Sequence, residues 1–330
     1  MNAPVCLADY ERLAQERLPE ATAAYLFGGA GDEITLRANT RAFEEAHLWP
    51  SIPERAAPVN LETRLFGDVY AAPIMAAPVA YQKLFHPAGE IATAQACAAM
   101  GAGYILSTLS STDMREVRRA GEGAPQWFQL YLQPARENTL RLLRRAERAG
   151  FSAIVVTIDA ALSGVRTREM RAGFALPAHV DAVNLRGFPS APGGLHHVPS
   201  WEALAWLRAQ TRLPLLVKGV LRADDAVRAI DLGMDGIIVS NHGGRILDTT
   251  PSAFSRLGAV VEAVGGRAPV LFDSGIRRGT DVLKCLSLGA AAVLVGRPLA
   301  SALAVNGAQG AAHALRILIE ETAVAKALCA

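Results

Sequence analysis

Residues 240–248 read Ser-Asn-His-Gly-Gly-Arg-Ile-Leu-Asp and follow directly on an apolar run, Gly236 to Val239. Histidine titrates near neutrality and can take a proton from a substrate, while an arginine three residues on carries a planar guanidinium suited to a carboxylate. The two glycines between them let the backbone turn tightly enough for both to face one ligand. Other apolar runs end in the same manner. Pro78, Ser107, Gln129 with Tyr131, Thr157 with Asp159, Lys218, Asp273 with Arg277, and Gly296 with Arg297 all stand at or just past the end of such a run. Asp159 is a charge partner for an imidazolium at His242, and Arg166 joins Arg245 as a second guanidinium for a carboxylate. The stretches 273–279 and 295–298 bring Gly275, Gly296 and Arg297 to helix starts, where backbone N–H groups bind phosphate. Singly, each residue has a plainer role: Asp159 can cap a helix, Lys218 can be a solvated strand end, and Arg277 with Arg278 can be a charged helix start. Together on one rim, they describe a site for a phosphorylated ligand beside a carboxylate substrate.

The elements that must position them follow from periodicity. Eight runs, at 73–78, 103–107, 127–131, 153–159, 214–218, 236–240, 269–273 and 292–296, are apolar on successive rather than alternate residues. Such strands are buried on both faces, as in a parallel sheet covered by helices. Eight of them, separated by stretches long enough for crossover helices, close into an α/β fold of the (β/α)8 TIM barrel class; an open doubly wound sheet is the alternative. The helical stretches between the runs end at Gly101, Gly150, Gly233 and Gly289, where a C-cap is expected. One domain is expected over 1–330, with residues 1–72 as a short helical cap, helical from Leu7 to about Gly31, and 73–330 as the barrel. A Pro- and Gly-rich stretch, 177–200, reads as a long loop after the fourth barrel strand.

Composition narrows the function classes. The chain has 330 residues, 51% of them hydrophobic, and a net charge of +2 from 33 basic and 31 acidic residues with no basic block, so nucleic acid is not an expected partner. Cys6, Cys97, Cys285 and Cys329 lie too far apart for a zinc site or a disulfide framework and read as thiols of a reducing cytoplasm. No metal site is expected. Without a signal segment or an apolar stretch of about 18 residues, the sequence reads as that of a soluble cytoplasmic protein with no membrane association.

The blocks YLFGGAGDEITL, APVAYQKLFHPAGE, FQLY, VVTIDAALSGVRTREMRAGFALP, LVKGV, VSNHGGRILD, DSGIRRGTDV and VGRP occur in one order along nearly the whole chain. In this they resemble the FMN-dependent L-2-hydroxy acid oxidases and dehydrogenases, the group that includes glycolate oxidase, lactate oxidase, mandelate dehydrogenase and flavocytochrome b2. The resemblance implies FMN as cofactor, and a 2-hydroxy acid oxidised to a 2-oxo acid with O2 or another acceptor reoxidising the flavin. It also implies His242 as proton acceptor with Asp159 as its partner. Arg245 and Arg166 match the arginines that hold the carboxylate or line the site, and Tyr25 and Tyr131 the tyrosines that hydrogen-bond the substrate. Pro78, Val79, Ala80, Ser107, Gln129 and Thr157 match positions at the isoalloxazine, Lys218 the lysine near flavin N1, and Ser240 a strand end beside it. Asp273, Gly275, Arg277, Gly296 and Arg297 match the ribityl and phosphate site. Whether the Cα–H bond breaks as a hydride or through a carbanion is left open. A homotetramer is implied as well.

Three departures carry expectations of their own. Leu109 stands where glycolate oxidases have tryptophan, which favours a substrate larger than glycolate, such as lactate, a mandelate or a longer aliphatic acid. Tyr81 replaces a methionine and either reaches the substrate tail or packs beneath the rim. Ser274 replaces a glycine, which is tolerated if the backbone there does not require one. The 177–200 loop lacks the apolar segment of membrane-associated relatives. A quinone- or protein-linked dehydrogenase, a flavin-binding barrel without turnover and a non-redox phosphate-binding barrel are the competing readings.

Overall fold

The computed structural model describes residues 3–51, 59–189 and 199–329. Helices α1 (Leu7–Arg17), α2 (Glu20–Phe27) and α3 (Ile34–Glu45) precede an antiparallel hairpin of β1 (Thr63–Leu65) and β2 (Asp68–Tyr70). The single helix expected from Leu7 to about Gly31 is two, because Leu18 precedes Pro19 and is extended, with φ −75° and ψ 144°.

Eight parallel strands follow: β3 (Ile74–Ala76), β4 (Gly103–Leu106), β5 (Gln126–Leu130), β6 (Ala153–Thr157), β7 (Leu215–Val220), β8 (Gly236–Val239), β9 (Val270–Asp273) and β10 (Ala292–Val295). They neighbour one another in chain order, and β10 pairs back onto β3 through Val293–Ile74, Leu294–Met75 and Val295–Ala76. That last pairing closes the barrel and excludes the open sheet. Around it lie α4 (Gly89–Met100), α5 (Met114–Ala120), α6 (Arg136–Ala149), α7 (Thr167–Arg171), α8 (Trp201–Arg208), α9 (Ala223–Asp231), α10 (Phe254–Val264), α11 (Gly279–Ser287) and α12 (Arg297–Cys329). In α6 the buried positions Thr139, Leu142, Leu143 and Ala146 share one face while arginines occupy the other, the pattern of a helix laid on a sheet. None of these helices is long and apolar enough to cross a membrane. Of the loop expected at 177–200, residues 190–198 lie outside the described residues.

Continuous apolar character in the strands has two uses. Ile74, Leu106, Phe128, Val156, Val217 and Phe272 face outward into the helix layer, while Met75, Ile105, Trp127, Val155, Leu216, Ile238, Leu271 and Leu294 fill the barrel interior. Because strand side chains alternate, the next inward position lies two residues further on. There the residues are Ala77, Ser107, Gln129, Thr157, Lys218, Ser240, Asp273 and Gly296. An apolar layer in the barrel is thus overlaid, strand by strand, with a mostly polar one at the C-terminal mouth. In β7 the ladder slips between Lys218 and Val220, a bulge at Gly219 that turns Lys218 inward and Val220 outward.

The β1–β2 hairpin was not legible in the sequence, since three residues are too few to show alternation. It closes the opposite mouth: Leu65 and Tyr70 pack among the interior side chains, and the Phe66 and Tyr70 rings lie 5.7 and 6.5 Å from Trp127. Trp127 is fully buried there. Trp127→Ala is expected to cost about 3–5 kcal/mol, the range for emptying a large buried side chain. The shift in the urea midpoint at constant slope measures it, and a loss below about 1 kcal/mol would show that the hairpin collapses into the gap.

Candidate active site

The polar layer opens into a cleft of about 950 Å³, its mouth included. Tyr25, Pro78, Val79, Ala80, Ser107, Gln129, Tyr131, Thr157, Lys218, His242 and Arg245 all line it. So do Asp273, Gly275, Arg277, Gly296 and Arg297 at its other end. Asp159, Arg166 and Ser240 stand one side chain back and act on the lining residues.

His242 is the centre of the first group. Its Nδ1 lies 3.0 Å from Asp159 Oδ1, which leaves Nε2 as the ring nitrogen open to a ligand. Burial alone would raise the Asp159 carboxyl, but the charge and hydrogen bond of His242 and the charge of Lys218 together hold it below the ordinary aspartate value. Asp159 presses against Gly219, where φ is +105° and a Cβ would come within 2.6 Å of the carboxylate carbon, so the bulge needs glycine for two reasons. His242 itself has φ +58°, a left-handed conformation uncommon outside glycine. Its N–H donates to Ser240 Oγ at 3.0 Å, and Lys218 Nζ donates to the same oxygen at 2.9 Å. Lys218 also pairs with Asp273 Oδ2 at 2.9 Å. Burial would depress its pKa, yet the charges of Asp273 and Asp159 raise it, so a fixed positive charge is kept beneath the cleft.

Arg245 donates to the Tyr25 carbonyl at 2.8 Å and lies over the Tyr25 ring, 4.8 Å from its centroid. Phe174 stacks on the other side of Tyr25 at 4.6 Å. Arg166 reaches Arg245 only through Glu169, whose Oε1 is 2.9 Å from Arg166 Nη1 and 3.3 Å from Arg245 Nη2. Glu169 was missed in the sequence because it sits among arginines and reads as one charge of a solvated helix. Burial raises both the Tyr25 and the Tyr131 hydroxyls, so they are donors at neutral pH. Tyr81 does not line the cleft; its N–H bonds the Leu109 carbonyl at 3.0 Å, and burial, with the Asp181 carboxylate adding to it, pushes its hydroxyl up to about 12.

Arg297 donates to the carbonyls of Leu26, Gly243 and Gly28 at 3.0, 2.8 and 2.9 Å, and among the described residues no carboxylate pairs with it. Burial, with the Arg245 and Arg277 charges close by, pushes its pKa down to about 9. A half-buried cation lacking an anion is a site for one. Arg277 is oriented by Glu11 of α1, 2.8 Å from its Nε, another residue the sequence did not single out. Gly275 has φ +96°, and a Cβ there would meet the Asn39 carbonyl oxygen at 2.4 Å. The condition set for Ser274 is not met: its φ of +90° lies where glycine is favoured, so the serine is strained and is held by side-chain hydrogen bonds.

Comparison with known proteins agrees with this geometry. Residues 14–330 match the model of a family described as FMN-dependent dehydrogenase. The chain belongs to that family. An L-lactate oxidase of a Nostoc species is 42% identical, the match covering 99% of this chain and 95% of the relative. A 4-hydroxymandelate oxidase of Amycolatopsis orientalis is 44% identical over 96% of this chain and 92% of its own length. A crystal structure of a mandelate oxidase superimposes with a TM-score of 0.95 at 45% identity, covering 99% and 95% of the two chains. As in other FMN-dependent dehydrogenases the cofactor is FMN, and the residues present fit it. Gln129 Nε2 and Thr157 Oγ1 are buried in the cleft wall without a hydrogen-bond partner among the described residues, and Arg297 awaits an anion.

The Asp159 carboxyl lies below its ordinary value of about 3.9, so its contribution to stability is present above that pH and is lost as the pH falls through the lower, folded-state value. Asp159→Asn should therefore flatten the fall in Tm of this enzyme between about pH 5 and pH 3. An unchanged slope in a pH series of thermal melts would show that the pair adds no net stability.

Proposed function

We propose that the enzyme oxidises an L-2-hydroxy acid to the 2-oxo acid and that O2 reoxidises its reduced flavin, with hydrogen peroxide formed. The observation that carries this is His242, paired with Asp159 and lining one cleft with Arg245, Tyr25 and Tyr131, a cleft that Arg277 and Arg297 also line. Arg245 holds the substrate carboxylate, while Arg166, expected from the sequence to share that role, stands one side chain back and supports Arg245 through the bridging Glu169. Tyr25 and Tyr131 hydrogen-bond the substrate. His242 Nε2 takes the proton, and Asp159 stabilises the imidazolium that results. FMN, when bound, supplies the two-electron acceptor. Gln129, Thr157, Ser107 and the 78–80 backbone hold its ring system, Lys218 places positive charge beside it, and Asp273, Gly275, Arg277, Gly296 and Arg297 hold its ribityl phosphate. Ser240 acts through Lys218 and His242.

The aliphatic Leu109 supports a substrate larger than glycolate, and relatives named as lactate and hydroxymandelate oxidases support the same size class and O2 as acceptor. A quinone- or protein-linked dehydrogenase would share the first half-reaction and differ in the second. We read the chain as one domain, 1–72 capping 73–330, and as a cytoplasmic homotetramer.

His242→Gln is expected to retain FMN, since the phosphate end of the cleft is built by other residues, and to slow anaerobic flavin reduction by about 10²-fold or more. Reduction at the wild-type rate would remove His242 from the role of proton acceptor. An anaerobic bleaching screen at 450 nm over lactate, mandelate and longer 2-hydroxy acids, followed by air and a peroxide assay, tests substrate and acceptor together. Bleaching by an L-acid larger than glycolate with one peroxide per turnover is the expected outcome. Bleaching without peroxide points to the dehydrogenase, and no bleaching by any acid defeats the proposal.

A further inference from the structure

Ser274 is a strained residue whose side chain ties together two parts of the site. Its backbone, at φ +90°, takes a conformation that a side chain disfavours, and the residue is 8% exposed in the cleft wall. Its hydroxyl donates to Asp273 Oδ1 at 2.8 Å and accepts the Gly243 N–H at 3.0 Å. Gly243 follows His242, and its carbonyl accepts from Arg297 Nη1. The N–H and the carbonyl of Gly243, in the two peptide units that follow His242, are therefore gripped, one by a serine and the other by an arginine.

The hydrogen bonds form a closed circuit. From the Gly243 N–H it runs through Ser274 Oγ to Asp273, across Asp273 Oδ2 to Lys218 Nζ, and from Lys218 to Ser240 Oγ, which accepts the His242 N–H. Two consecutive backbone N–H groups, at 242 and 243, are held by this ring. His242 is itself left-handed, at φ +58°, and a residue in that region stays there only where its surroundings over-determine it. With glycine at 274 the ring would be open on the Gly243 side.

We infer that Ser274 is a positioning residue, closing a hydrogen-bond ring that locks His242 in its left-handed conformation with Nδ1 on Asp159. The inference rests on the reading of His242 as the proton acceptor. It explains why a strained serine stands where the backbone favours glycine: the hydroxyl does what no glycine can.

Two variants separate hydroxyl from backbone. Ser274→Gly removes the hydroxyl and relaxes φ, whereas Ser274→Ala removes the hydroxyl and keeps the strain. In the FMN-loaded protein, amide hydrogen exchange over residues 240–248 is expected to quicken about tenfold in both variants, the equivalent of one hydrogen bond lost, with the barrel strands unchanged. The limiting rate of flavin reduction by a saturating 2-hydroxy acid should fall about three- to tenfold in both, with half-saturation moving less than about twofold, as misalignment rather than lost binding dictates. Wild-type exchange and wild-type reduction in Ser274→Gly would overturn the inference, as would a defect confined to Ser274→Ala, which would be strain alone. Quickened exchange in a protein whose wild type reduces its flavin with no hydroxy acid would uphold the ring and defeat the functional reading instead.

Discussion

The seating of the N-terminal helices on the loop after β8 is the constraint on which the site depends. Asn39 of α3 and Asn241 exchange amide hydrogen bonds at 2.9 and 2.8 Å, and both are buried. Asp248 accepts the N–H groups of Asp32 and Thr35 and so caps α3 from the barrel side. In return, the carbonyls of Tyr25, Leu26 and Gly28 accept from Arg245 and Arg297. Strip the helices away and two partly buried guanidinium groups lose most of their acceptors, a loss that in a low-dielectric cleft exceeds the worth of the bonds themselves. One segment of chain, 240–248, thus carries the two residues to which we assign proton transfer and carboxylate recognition, His242 and Arg245, and the two that assemble the N-terminal helices, Asn241 and Asp248.

Charge in the cleft is arranged in alternation. Guanidinium groups stand at both ends, and between them the carboxylates Asp159 and Asp273 bracket Lys218 and His242. Asp273 meets Lys218 and the Ser274 hydroxyl, and the Asp159 carboxyl is held below its ordinary value by His242 and Lys218 against the effect of burial. Arg245 has Glu169 beside it, whereas Arg297 has only backbone carbonyls as acceptors among the described residues, which leaves its charge for a ligand anion in the function we propose. Preorganised charge of this kind needs no rearrangement when the ligand arrives.

Much of this was legible in the sequence, and the gaps have physical causes. Barrel strands show themselves because burial on both faces removes alternation, and the site residues show themselves because a polar group two positions past the last interior residue has nowhere to point but the mouth. Strand β7 runs to Val220 instead of ending at Lys218 because the bulge at Gly219 lets pairing resume, and no composition reveals a bulge. Glu169 and Glu11 were passed over for a different reason: a glutamate on an amphipathic helix looks solvated until the arginine it orients is placed in space. For Ser274 only a condition is legible in the sequence, because the demand for a positive φ belongs to the backbone, which a side-chain pattern does not record.

The β1–β2 hairpin has a bearing on kinetics as well as on stability. By packing Leu65, Phe66 and Tyr70 under Trp127 it gives the cleft a solid floor, and among the described residues the interior from Leu294 down to Tyr70 is filled with side chains. Ligands then reach the cleft from the C-terminal mouth and not along the barrel axis. The rate at which they come and go is thus set by the loops after the strands, a consequence of how the barrel's far end is filled.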